Sequence, residues 1–239
     1  MKKIYLALII IAALALSGLS SCRFNCVRGS GKEASEGRKV GDFTRLDISG
    51  DYKVILKQDS SLALKITGDD NLLPFIKTVV DGHRLRIYSK RSLCNSGPIT
   101  VNIGIRNLEG VRASGAVEVE SDGKVQTRDL RFELSGATKV TMDLNAANVS
   151  TSGSGVTELN LKGQATSHDI DLSGSGHVYA LDFVVGACDI QTSGVGHSEV
   201  NVLNKLSVHS SGASEVKYRG NPSSVTNDKS GASSIEKVN

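Results

Sequence analysis

The chain has 239 residues, with 28 Lys and Arg against 25 Asp and Glu and a formal net charge of +3. That near-balance carries neither the basic excess of a nucleic-acid binder nor an acidic tail. Tryptophan is absent and aromatics are 4% of the chain, so the usual ring platforms for sugars or single strands are scarce, while 25 glycines against 3 prolines favour tight turns within a regular structure.

The first element is a secretory leader. Met1-Lys2-Lys3 is followed by an almost unbroken apolar run from Ile4 to Leu16, too short for a comfortable membrane span. Leu19-Ser20-Ser21-Cys22 then has the form of a lipobox. Small residues fit the signal peptidase, and the Cys22 thiol accepts a diacylglyceryl group. The expectation is a leader over residues 1–21, lipidation at Cys22, and a lipid-anchored protein of the outer membrane. Acyl chains contribute roughly 0.8 kcal/mol per buried methylene, enough for a lasting anchor when several are attached. Beyond Cys22, the cysteines are Cys26, Cys94 and Cys188. Three cannot all pair within one chain. A Cys26–Cys94 bridge is open in an oxidising envelope, and each cysteine otherwise reads as a small apolar filler.

Residues 22–40 are polar and without periodicity, which predicts a flexible tether with order beginning near Phe43. Residues 41–239 read as one β domain. Within it, Asp69 to Gly82 offers Asp70 as an N-cap and an apolar face at Leu72, Leu73, Ile76 and Val80. This predicts a short helical element ahead of the strand Leu85-Arg86-Ile87-Tyr88.

A repeat dominates the remainder. Ser-Gly recurs at Ser49-Gly50, Ser114-Gly115, Ser135-Gly136, Ser152-Gly153, Ser173-Gly174, Ser193-Gly194, Ser211-Gly212 and Ser230-Gly231. From Ser114 onward the intervals are 21, 17, 21, 20, 18 and 19 residues, and the gap from Ser49 to Ser114 has room for about three more units. Three residues before the serine stand Leu46, Val111, Phe132, Val149, Ile170, Ile190 and Val208. A second alternating stretch follows each glycine. Alternate residues therefore face inward, and each unit is strand, corner, strand, turn. Self-similarity near 20 residues predicts an all-β fold: a single right-handed parallel β-helix of about 20 residues per rung. Hairpins of a sandwich or barrel do not need the same corner at a fixed period. The corner serines and glycines read as structural.

Leu46-Asp47-Ile48-Ser49-Gly50-Asp51-Tyr52-Lys53-Val54-Ile55-Leu56, the segment LKITGDDNLLPFIKTVVDGHRLRIYS (64–89) and the serial Ser-Gly rungs together resemble the auto-transporter adhesin, head GIN domain family. The resemblance covers roughly residues 42–218, and its most specific part is Gly68-Asp69-Asp70-Asn71-Leu72-Leu73 with the Asp81-Gly82 turn. It implies a β-helical fold in secreted or lipid-anchored proteins of Bacteroidetes-like bacteria, and it supplies no catalytic motif.

Residue chemistry adds few candidates. His177 and His197 each lie four residues after a corner serine, a spacing open to a two-ligand metal contact. No third or fourth ligand can be named, and the column reads more simply as a solvated charged ladder. His168 and Cys188, five before their serines, are expected inside. Asp169, Asp171 and Asp189 alternate with apolar residues and form a weak acidic face. A polysaccharide-active enzyme would need such acids to converge on one groove. No HExxH, phosphate loop or nucleophile elbow occurs, so no metal or cofactor is expected. The expected function is a lipid-anchored, non-enzymatic cell-envelope protein acting as an adhesin or surface interaction module toward a glycan or protein ligand, with no nucleic-acid partner. The alternatives are that enzyme and a periplasm-facing structural or signalling lipoprotein. Arg23, Phe24 and Asn25 lack the acidic cluster of surface export, which leaves the orientation open.

Overall fold

The structure is a computed structural model and describes residues 26–95 and 97–239. The expected leader, Cys22 and the start of the tether lie outside the described residues. In chain order the strands are β1 (Val27–Arg28), β2 (Glu33–Lys39), β3 (Arg45–Gln58), β4 (Ala63–Asp69), β5 (Ile76–Asp81), β6 (Arg84–Ser89), β7 (Leu93–Cys94), β8 (Thr100–Ile105), β9 (Gly110–Gln126), β10 (Asp129–Arg219) and β11 (Ser224–Lys237). The fold is all-β, and its main sheet runs β11-β10-β9-β3-β8-β4-β2 without closing into a barrel.

Parallel pairing in register organises the stack. β3 lies against β9 with Ser49 opposite Ser114 and Gly50 opposite Gly115. The next corner follows, Ser135 opposite Ser114, and the last pairs Ser211 with Ser230. The 91-residue run β10 turns several such corners itself. Its glycines stack: a Cβ added to Gly155 would lie 2.6 Å from the Gly136 carbonyl oxygen, and one on Gly174 would lie 2.6 Å from that of Gly155.

That column corrects one corner. The residue in the left-handed region above Gly136 is Gly155 (φ +92), so the corner is Ser154-Gly155 and not Ser152-Gly153. Gly153 faces the interior, where a Cβ would lie 2.6 Å from Leu172 Cδ2, and Ser152 faces out. Both dipeptides suit a corner locally. Packing against the neighbouring rungs selects the second.

Inward columns form the core, with Leu46, Ile48, Val54, Leu56, Phe132, Leu134 and Ile170 at most 4% exposed. Toward the C-terminus the interior turns polar. The buried Thr192 hydroxyl donates to Ser210 Oγ at 3.3 Å, and Ser214 lies beside both.

The N-terminal third departs from expectation three times. The gap between Ser49 and Ser114 holds one split rung and not three, because β6 and β8 together lie along β3 on the side opposite β9. The helical element at Asp69–Gly82 is not formed. A single 3-10 turn, Leu73–Phe75, is followed by β5, which pairs antiparallel with β6. Its β-branched run Ile76, Thr78, Val79, Val80 favours the hairpin, and Gly82 (φ +58) makes its turn. Asp70 caps nothing there; its carboxylate accepts from Ser30 Oγ at 2.6 Å. Finally, Glu33–Lys39, within the segment expected to be a tether, pairs antiparallel with β4 along its whole length. Polar composition is overridden here by backbone pairing and by Arg38, whose guanidinium donates to the carbonyls of Ile76 (2.8 Å) and Leu73 (3.1 Å). Cys26 and Cys94 are disulfide-bonded, closing a loop of 68 residues beside the β1–β7 pair.

Two outcomes follow. Gly174→Ala combines a left-handed φ with a backbone clash, and should cost about 2 kcal/mol or more in denaturant unfolding. The double variant Cys26→Ser, Cys94→Ser should lose about 2–4 kcal/mol by the same measurement, mainly by freeing the unfolded chain.

Candidate functional site

Each rung presents two outward faces, one before the corner and one after it. On the face after the corner, the position four beyond the serine reads Lys53, Glu118, Lys139, Glu158, His177, His197, Glu215 and Ser234 in stacking order. These side chains compensate one another. Lys53 Nζ lies 3.5 Å from Glu118 and 2.9 Å from Glu120, and Lys139 Nζ lies 3.1 Å from Glu158. The hydrogen bond to Glu120 raises the Lys53 ammonium above its ordinary value. Glu158 is held below the usual carboxylate range, first by Asn160 and then by Lys139.

His177 and His197 do come one rung apart, but as part of this ladder. Both ring nitrogens of His197 face carboxylate oxygens at 2.9 Å, Nδ1 toward Glu215 and Nε2 toward Glu199. Between the two histidines stands Tyr179, 41% exposed, with its ring 6.4 Å from His177 and 6.0 Å from His197. Sequence reasoning passed over this tyrosine. Its signal was a lone aromatic at an outward position six beyond a corner serine. Among the described residues, no group of three or more His, Cys, Asp or Glu is arranged to hold a metal ion.

The face before the corner carries the acidic residues. Asp169 and Asp171 are exposed and Asp189 is half-buried, with one Asp189 carboxylate oxygen buried and without a hydrogen-bond partner. They occupy two successive rungs of the face, and among the described residues no Phe or Tyr lines the pocket that contains Asp171. Further toward the N-terminus, the same face carries Arg45, Arg84, Arg86, Arg112 and Arg131, which the sequence reading did not group. Register brings them together: Arg84 lies opposite Arg45, Arg45 opposite Gly110, and Gly110 opposite Arg131. Gly110 leaves a pocket of about 190 Å³ among Arg45, Arg84, Arg112 and Arg131, with Glu109 and Glu133 also in its lining. At the second turn of each rung, Gln126, Asn145 and Gln164 stack beside Ala146 and Ala165 along a broad groove of about 720 Å³.

Beneath the acidic face lie two buried titratable groups, His168 and Cys188, 1% and 2% exposed. His168 Nε2 is 3.0 Å from Thr151 Oγ1, and the ring meets Phe183 edge-on at 5.8 Å. Burial pushes the imidazole down to about 3. Burial, reinforced by Asp189 and Asp169, pushes the Cys188 thiol up. Both are core groups and neither opens to a groove.

The profile of the family described as "Putative auto-transporter adhesin, head GIN domain" matches residues 42–222. A crystal structure of a putative adhesin from Bacteroides fragilis is similar in fold, with a TM-score of 0.83 at 21% identity over 89% of this chain and 100% of that one. A putative adhesin from Parabacteroides merdae superposes with a TM-score of 0.64 at 21% identity, covering 89% of this chain and 99% of that one. A putative lipid binding protein from Parabacteroides distasonis gives 0.65 at 18% identity, covering 90% and 100%. None of the curated proteins compared matches the chain.

The buried imidazole makes stability depend on pH. Its folded value of about 3 lies below the ordinary 6.5, so between these limits the unfolded chain binds the extra proton. This contribution is fully present above pH 6.5 and is lost as pH falls toward 3, at up to about 1.4 kcal/mol per unit. The pH profile of unfolding for His168→Leu should lack that slope while keeping the part due to the carboxylates.

Proposed function

We propose that this chain, which belongs to the auto-transporter adhesin, head GIN domain family, is a lipid-anchored, non-enzymatic protein of the cell envelope that displays its long outward faces to a glycan or protein ligand. On this reading the parallel stack closes as the right-handed β-helix that the repeat predicts, and Cys22 carries the lipid. The observation that carries the proposal is the in-register stacking of β3, β9, β10 and β11. It turns short polar motifs into columns of hydrogen-bonding and charged groups that extend from rung to rung. Such a surface suits binding by many modest contacts, each worth little alone. Catalysis would need groups converging on one reacting atom, and Asp169, Asp171 and Asp189 are spread along an open face. The anchor rests on the lipobox Leu19-Ser20-Ser21-Cys22.

Two measurements test this. Fatty-acid labelling of the protein should be present in the natural sequence and lost in Cys22→Ser. Protease shaving of intact cells, with a periplasmic protein as leakage control, should release fragments of residues 26–239. Full protection until the outer membrane is broken would overturn the adhesin reading in favour of a periplasm-facing lipoprotein.

A further inference from the structure

The face before the corner is divided by charge. Taken rung by rung from β6, its outward residues are Arg84/Arg86, Arg45/Asp47, Gly110/Arg112 and Arg131/Glu133. Ser150/Ser152 follows, then Asp169/Asp171, Asp189/Gln191, Ser207/His209 (the serine itself buried) and finally Thr226/Asp228. The first four rungs carry five arginines against two acids; the last four carry four aspartates and no Lys or Arg. The neutral serine rung separates them. Overall composition does not impose this, because the face after the corner alternates signs and pairs them internally.

The two ends also differ in how well they are satisfied. Arg86 lies 4.0 Å from Asp47, and Arg112 and Arg131 share Glu133. At the acidic end, among the described residues, Asp228 pairs with His209 at 3.8 Å, and one oxygen of the half-buried Asp189 has no hydrogen-bond partner. Carboxylates clustered with so little cation nearby repel one another and attract a surface of opposite sign.

The geometry points to a second copy of this chain as that surface, packed face to face and antiparallel about a two-fold axis at the Ser150/Ser152 rung. Such an axis makes the contact isologous. It sets Arg131 opposite Asp169 of the second copy, Arg86 opposite Asp228, and Asp47 opposite His209. The rung of Asp189 falls opposite the pocket at Gly110, where Arg45, Arg84, Arg112 and Arg131 outnumber Glu109 and Glu133 in the lining. Glu133 falls opposite Asp171, where Arg112 and Arg131 are in reach of both carboxylates. Nine rungs at ~4.8 Å, each about 20 Å wide, bury on the order of 800 Å² per partner, the area of an ordinary specific interface. Antiparallel packing sends the two N-termini in opposite directions. If Cys22 carries the lipid, which rests on the preceding proposal, the pair joins two opposing membranes and the adhesion is between like cells.

Sedimentation equilibrium of the purified full-length protein in detergent tests the pairing. Dimers are expected at about 50 mM salt and monomers at about 500 mM, because exposed charges are screened over a few ångströms there. Arg112→Glu with Arg131→Glu should weaken self-association about tenfold or more, as should Asp169→Arg with Asp171→Arg. Mixing these two variants should restore a dimer, now made of one copy of each. These are surface changes, and an unchanged thermal melt checks that each variant folds. A natural protein that stays monomeric at low salt, or reversal variants that dimerise unimpaired, would overturn the inference. Dimers in solution together with protection from shaving would keep the pairing and discard its role between cells.

Discussion

Contact between glycine backbones at the corner is the constraint on which the stack depends. From Gly115 to Gly231, each corner glycine holds a left-handed φ, and a Cβ there would lie 2.3–2.6 Å from the carbonyl oxygen of the corner glycine one rung earlier. A side chain would pay twice, in backbone strain and in lost contact. With the corners seated on one another, every residue four before or six after them inherits its neighbours. A register slip of one residue would turn the aliphatic columns to solvent.

Interior packing follows from that register and also varies along it. Where Leu172 projects from one rung, Gly153 stands in the next, and the missing side chain makes the room. Near the C-terminus Thr192, Ser210 and Ser214 replace aliphatics and satisfy one another by hydrogen bonding. Buried hydroxyls are tolerated on that condition. At the N-terminal end the sheet is extended by antiparallel strands and fastened by Arg38 and the Cys26–Cys94 bridge.

The outward faces are under weaker constraint, and their differences therefore bear on function. Exposed ion pairs contribute roughly 0–1 kcal/mol each, so the charges are not there chiefly for stability. One face neutralises itself through Lys53, Lys139 and Lys217. The other gathers arginine at one end and aspartate at the other. Charge placed this way acts on the choice of partner and the rate of encounter more than on the fold.

Much of the architecture was legible before any coordinates. The period near 20, the aliphatic residues flanking each Ser-Gly and the inward placement of His168 and Cys188 are local patterns, and alternation along a strand reads directly from neighbouring residues. What lay beyond the sequence were choices between locally equivalent options. Ser152-Gly153 and Ser154-Gly155 both suit a corner; Gly136 beneath and Leu172 above decide between them. Glu33–Lys39 carries no strand signal until β4 offers its edge, and Asp69–Gly82 reads as helical until β6 pairs with it. The arginine group likewise appears only when β6 and β9 are laid on either side of β3, joining residues 45, 84 and 112. The sequence alone determined which side chains alternate and how often the chain turns, because those depend on adjacent residues. Tertiary structure decided which rung lies on which, because that depends on backbone contacts between residues far apart in the chain.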